Sequence, residues 1–323
     1  MKKVLLATSA LVAAGFVTSA SAAEWETGVS GYYFLGVGVT DSGAQDGIGV
    51  LRDGEFHVNG RLTADNGLTF RARIEVEAFT SGDQIDENWG SVSGSFGTLM
   101  IGSNDTVVYE NLSGIGIIYA PGARIGYADS FALTTAAGVG FSPFPGTASD
   151  QIGLHYTTPD FMGFKAFAGY HPSNATDGAA DTNNPVFDNG GEIWNVGASY
   201  TGDFGDFSLG LGAGYTDIEG VAGEQISFAA NVGFQGFTLA GFYEDDFGGD
   251  EFGIGAQYAT GPWTVGGGWG HGDSGATNND VVAGWVTYTA APGVLFTAGL
   301  EYADDDTTNN SDFGGLAFMT LRF

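Results

Sequence analysis

Cysteine is absent and cations are scarce: nine Lys and Arg stand against 38 Asp and Glu in 323 residues. Without cysteine there is no disulfide and no thiol chemistry, so stability must come from hydrogen bonding and packing. A formal charge of −29 excludes a phosphate-tracking surface, and with it nucleic acid as a partner. It favours cations instead. Nor does the chain beyond residue 22 offer 18 consecutive apolar residues, so no helix is expected to cross a bilayer. What is abundant is glycine, 56 residues, together with 25 Phe, 13 Tyr and 6 Trp. So much glycine is too permissive for a helical protein, and so many aromatics are too many for a disordered one. The expected class is all-β.

Residues 1–22 are a different kind of sequence. Lys2 and Lys3 precede an apolar run from Val4 to Val17, and small residues follow, ending Ala20-Ser21-Ala22. That is the charged, apolar and small-residue order of a secretory signal peptide, and it fits better than an amphipathic N-terminal helix. The mature domain is then 23–323, with seven basic residues left against 38 acidic ones.

The rest of the chain repeats a unit of alternating residues followed by a turn. Phe207, Leu209, Leu211, Ala213 and Tyr215 alternate with Ser208, Gly210, Gly212 and Gly214; Ile226, Phe228, Ala230, Val232 and Phe234 repeat the scheme, as do Val294, Phe296, Ala298, Leu300 and Tyr302. One face is apolar and the other small or polar, which is the period of a half-buried strand. The links alternate too. Short ones such as Asp65-Asn66-Gly67, Gly202 to Asp206, Gln235-Gly236, Gly261-Pro262 and Ala291-Pro292-Gly293 separate longer, acidic ones: Thr40 to Arg52, Ser81 to Glu87, Ser103 to Ser149, His171 to Gly191, Thr216 to Gly223, Asp245 to Asp250, His271 to Asn279 and Ala303 to Ser311. Eight long and seven short links imply sixteen strands. An even count with short turns on one rim and long loops on the other predicts a closed transmembrane antiparallel β-barrel, its turns periplasmic and its loops extracellular. Aromatics support this, because strands tend to start at Phe or Trp (Phe207, Phe237, Trp263) and to end at Tyr before a long loop (Tyr215, Tyr243, Tyr258, Tyr302), as two interfacial girdles would require.

Four of the seven basic residues, Arg52, Arg61, Arg71 and Arg73, lie within 22 positions. A three-residue turn Asp65-Asn66-Gly67 with Gly in the left-handed position pairs Ala64 with Leu68, and therefore sets Arg61 directly opposite Arg71. Both then face the lumen, with Arg73, Glu55, His57, Glu75 and Glu77. Either the glutamates neutralise the arginines as wall salt bridges, or the arginines face an acidic strip across a constriction; the second is the expectation carried forward. The strip would come from the third long link, Ser103 to Ser149, folded inward and presenting Asp105, Glu110 and Asp129. Its middle, Asn111 to Ala123, is apolar and glycine-rich.

The sixteen-strand count, Phe96-Gly97-Thr98-Leu99-Met100-Ile101-Gly102 leading into a long third loop, and the terminal Phe323 together resemble the general diffusion porins of Gram-negative outer membranes, especially the alphaproteobacterial branch. The resemblance covers essentially the whole mature chain. It implies a homotrimer in the outer membrane, contact with lipid and lipopolysaccharide, passage of small hydrophilic solutes and ions, and wall arginines (Arg61, Arg71, Arg73) opposite third-loop carboxylates. It also implies that Phe323, Leu321 and Met319 serve as the assembly signal of the last strand. The Pro-Glu-Phe-Gly-Gly-Asp stretch of some enterobacterial third loops is missing here. Leu316 and Phe318 fall on the face that should be polar, which asks whether something packs against that strand from inside.

The acidic links, with Asp245 and Asp246 in one and Asp304, Asp305 and Asp306 in another, are oxygen-only clusters that suit calcium or magnesium, although solvation alone explains such runs. No cofactor is required. His57, His155, His171 and His271 have no metal-ligand spacing, and no nucleophile motif accompanies them, so no enzyme is expected. The expected function is a passive, weakly cation-selective pore. The alternatives are a solute-specific channel and a surface protein that binds through its loops.

Overall fold

The computed structural model describes residues 24–41, 47–79, 84–120, 125–126, 129–130, 151–174, 191–273, 278–306 and 310–323. Residues 1–22, expected as a signal peptide, lie outside them. The strands are β1 (Glu26–Asp41), β2 (Gly47–Thr63), β3 (Thr69–Glu77), β4 (Ile85–Gly94) and β5 (Gly97–Asn104), then two short ones, β6 (Ile125–Gly126) and β7 (Asp129–Ser130). They continue as β8 (Gln151–Thr157), β9 (Phe164–His171), β10 (Ile193–Phe204), β11 (Phe207–Ile218), β12 (Gln225–Phe234) and β13 (Phe237–Asp246). The last five are β14 (Gly249–Thr260), β15 (Trp263–Asp273), β16 (Asn278–Ala291), β17 (Val294–Asp305) and β18 (Asn310–Arg322). A single helix, α1 (Val107–Gly116), interrupts them among the described residues.

All strands except β6 and β7 form one closed ring of sixteen, each antiparallel to its neighbours, with β1 and β18 meeting at the seam. The terminal Phe323 extends that seam, exchanging two main-chain hydrogen bonds with Gly31 at 2.9 and 3.1 Å. Closure removes the unpaired edges that a sheet cannot expose to lipid. Alternation then sorts the side chains. On β1, Val29, Leu35, Val37 and Val39 are exposed on the outer face, as are Leu211, Phe228, Leu239, Ile254, Phe296 and Leu300 on later strands. These are lipid-facing positions, so their exposure is what a membrane requires. Stacked or tilted pairs at the short-turn rim, Phe207 on Phe234 at 4.4 Å and Phe237 on Tyr258 at 4.2 Å, build one girdle. Tyr258 therefore belongs to the periplasmic girdle and not before a long loop, because β14 descends toward the Gly261-Pro262 turn.

The β2–β3 turn has the geometry the residues call for. Ala64 N–H donates to Leu68 O at 2.8 Å, Gly67 takes φ +83°, and Arg61 pairs with Arg71. Several long links are shorter than expected. Thr40 to Arg52 reduces to residues 42–46, and Asp245 to Asp250 reduces to the two-residue turn Phe247-Gly248, with Asp245 opposite Asp250. Asp245, Asp246, Asp304 and Asp305 are thus strand residues and not loop residues. The strands extend past the apolar band, where water permits acidic side chains on both faces.

Candidate functional site

The inner face of the barrel is divided. On β2 and β3 it carries Glu55, His57, Asn59 and Arg61 opposite Glu77, Glu75, Arg73 and Arg71 in register. On β9, β13, β16 and β18 it carries Phe167, Phe242, Ala240, Val281, Ala283, Trp285, Leu316 and Phe318, all buried. The third loop packs on all of these except Val281, which lies against Ala303 of β17.

Thr106 starts that loop's helix, its hydroxyl accepting from Tyr109 N–H at 3.4 Å, the N-cap arrangement that satisfies a free helix donor. Val107, Val108, Leu112 and Ile115 of α1 then pack with Phe167 and Ala229. Wall glycines make the room, because a Cβ at Gly214 would stand 2.3 Å from Val108 Cγ1 and one at Gly212 would stand 2.9 Å from Leu112 Cγ. Past the helix, Ile117, Ile118 and Ala120 continue along the wall against Ala240, Phe242, Ala283, Trp285, Leu316 and Phe318, with Leu51 of β2 at the edge. Asn231 Nδ2 donates to Ile115 O at 3.0 Å and fastens the helix end. Leu316 and Phe318 are inward and apolar because this segment lies on them.

Polar contacts hold the start of the loop. Glu110 accepts from Asn104 Nδ2, and its Oε2 is 3.6 Å from His155 Nδ1. His155 Nε2 lies 3.1 Å from His171 Nε2, and His171 Nδ1 lies 3.2 Å from Gln151 O. A carbonyl only accepts, so His171 donates through Nδ1 and accepts at Nε2 from His155. The remaining His155 nitrogen faces Glu110, so a proton there would tie α1 to the wall. The 16-residue gap between the two histidines hides this pair, which the β8–β9 hairpin brings together.

On the charged wall, Arg73 pairs with Glu75 and donates to His57 Nδ1 at 2.8 Å. His57 then accepts at Nδ1 and carries its proton on Nε2, 3.2 Å from Glu55 Oε2 and 3.5 Å from Glu75 Oε2. Glu55, His57 and Glu75 offer donor atoms within 4.8 Å of one another, as do Glu55, Glu77 and Asp86. In the first group the imidazole nitrogen that faces both carboxylates is Nε2, which carries the proton because Arg73 donates to Nδ1, so a cation there would have to displace that proton. Arg61 and Arg71 have no hydrogen bond or ion pair among the described residues and are exposed on the inner face.

The structure thus gathers Arg73, His57, Glu55, Glu75 and Glu77 on one wall and leaves Arg61 and Arg71 below them, toward the short-turn rim. Glu110, on α1, reaches the neighbouring β5–β8 wall at His155, Asp105 is half-buried just before α1, and Asp129 is in β7 with its side chain outside the described residues. Asp246 faces inward and accepts from Gln225 at 2.8 Å, alongside Glu244, whereas Asp245 and Asp304 face outward by alternation. Asp305 ends β17, and Asp306 is exposed in the following turn. Among the described residues, these rim aspartates form no three-ligand group.

The family model described as Gram-negative porin matches residues 7–309. Among solved structures, an anion-selective porin from Comamonas acidovorans is 14% identical with a TM-score of 0.66, over 93% of this chain and 100% of that one. A porin structure refined at 1.8 Å is 22% identical with a TM-score of 0.66, over 92% of this chain and 100% of that one. A mutant of Rhodobacter blastica porin is 16% identical with a TM-score of 0.62, over 92% of this chain and 100% of that one. No curated protein matches in sequence.

Proposed function

The chain belongs to the Gram-negative porin family and is a channel of the outer membrane, and on that premise we propose that it is a passive, weakly cation-selective pore for small hydrophilic solutes and ions. The observation that carries this is the division of the inner face. One wall is apolar and the third loop packs on it, whereas the other is polar and charged, with Arg61 and Arg71 exposed on the inner face. Water and solutes take the second side.

The cation preference rests on side chains, because barrels of one fold can carry either selectivity. Glu55, Glu75, Glu77, Glu244, Glu251, Glu301 and Asp312 face inward, against Arg61, Arg71, Arg73, Lys165 and Arg322 by the same alternation. Excess carboxylates at the mouth concentrate cations before they enter. Residues 1–22 direct export and are removed, and three copies assemble as the family resemblance implies. Phe323, Leu321 and Met319 mark the last strand for assembly. Calcium or magnesium gathers diffusely at the outward rim aspartates, opposite lipopolysaccharide phosphates.

Swelling of liposomes containing the purified protein tests the pore directly. Uptake of neutral sugars should fall smoothly with size. Uptake of one sugar alone would favour a solute-specific channel, and no swelling with correctly folded protein would favour a loop-mediated binding protein.

A further inference from the structure

Two arginines face each other across β2 and β3 in a chain that has carboxylates to spare. Arg61 and Arg71 are register partners on the inner face. Side chains so placed start about 5 Å apart, and like charges there are destabilising. One rung up, Arg73 is occupied by Glu75 and His57. One rung down, the Thr63 and Thr69 hydroxyls lie 3.3 Å apart, with Ser91 opposite Arg71 on β4. The carboxylate nearest in register is Glu26, opposite Arg61 on β1, and it forms no ion pair with it among the described residues. Arg71 has none in register.

We infer that Arg61 and Arg71 form a seat for an oxyanion, the phosphate or carboxylate group of a passing solute, on the periplasmic third of the pore wall. An oxyanion between two guanidiniums relieves their repulsion and accepts up to two hydrogen bonds from each planar fork, with the Thr63, Thr69 and Ser91 hydroxyls as further donors. The position is about 10 Å along the strand from the β2–β3 turn, so the seat is reached first from the short-turn side. A mouth that gathers cations and an exit wall that holds anions would let one pore handle both members of a salt. This inference rests on the channel reading.

The test is the single-channel current of the full-length protein in chloride, with inorganic phosphate or acetate added to one side at a time. Phosphate or acetate should reduce the current in a concentration-dependent way, at lower concentration from the periplasmic side. Stronger block by phosphate assigns a phosphate-bearing solute, and equal or stronger block by acetate assigns a carboxylate-bearing one. The double variant Arg61→Gln/Arg71→Gln should conduct and be blocked at least about tenfold more weakly. Arg71→Lys, which keeps the charge and loses the fork, should fall between, and it serves alone if the double variant does not insert. Normal conductance without block, or equal block of native and variant channels, overturns the seat and leaves the channel standing. Absent conductance would overturn the channel itself.

Discussion

At the scale of single residues, His57 is the joint of the charged wall. Arg73 can only donate, so His57 must accept from it and pass its own proton toward Glu55, and the two glutamates share one cation chain. Arg73→Met removes the head of that chain and leaves Glu55 and Glu75, both buried, without it. The barrel should lose about 1–3 kcal/mol, read as a lower temperature for the gel shift of heated samples, and a further Glu75→Gln should restore part of it. An unchanged transition would mean that the wall tolerates the bare carboxylates. Arg61 and Arg71, by contrast, should be replaceable without loss of stability, since removing one eases a repulsion. Their register was legible in the sequence because a glycine-ended three-residue turn admits only one pairing. The His155–His171 contact was not, since ligand spacing within a strand or helix cannot reveal residues joined by a hairpin.

Among elements, the third loop packs against one side of the inner wall. Its helix was not legible: Val107, Val108, Leu112 and Ile115 fall on one face and Glu110 and Ser113 on the other, but the helix runs for only about three turns and passes into an apolar, glycine-rich stretch that blurs the period. Two indirect signals were there, the inward apolar pair Leu316 and Phe318 and the glycine run of β11. Gly214→Val should push α1 off the wall, as even a Cβ would meet Val108. The variant should keep its β-rich circular dichroism and show altered, noisier single-channel conductance; native conductance would mean that the helix does not border the pore. The acidic links were misread for a related reason. Above the lipid, alternation between faces no longer separates apolar from polar, so Glu244-Asp245-Asp246 looks like a loop while continuing β13. The closing seam is more exposed to truncation. Deleting Phe323 removes both hydrogen bonds to Gly31 and the ring contact with Phe56 at 5.6 Å, and should reduce the yield of folded barrel in membranes while unfolded chain accumulates.

For the whole molecule, strand number, closure and the two rims were legible because a membrane imposes them on every strand alike. Charge balance is the molecule's own contribution to function, and it has a measurable signature. Selectivity that comes from screened carboxylates weakens as salt rises, because the Debye length falls from about 10 Å at 0.1 M to about 3 Å at 1 M. The central claim is an open, cation-preferring pore, and the most direct measurement is the reversal potential of single channels in a potassium chloride gradient at low and at high salt. The account predicts stepwise ohmic conductance with a reversal potential of the sign set by potassium, shrinking toward zero as both solutions approach molar salt. A chloride-directed reversal potential, or folded protein that inserts and carries no current, would contradict it.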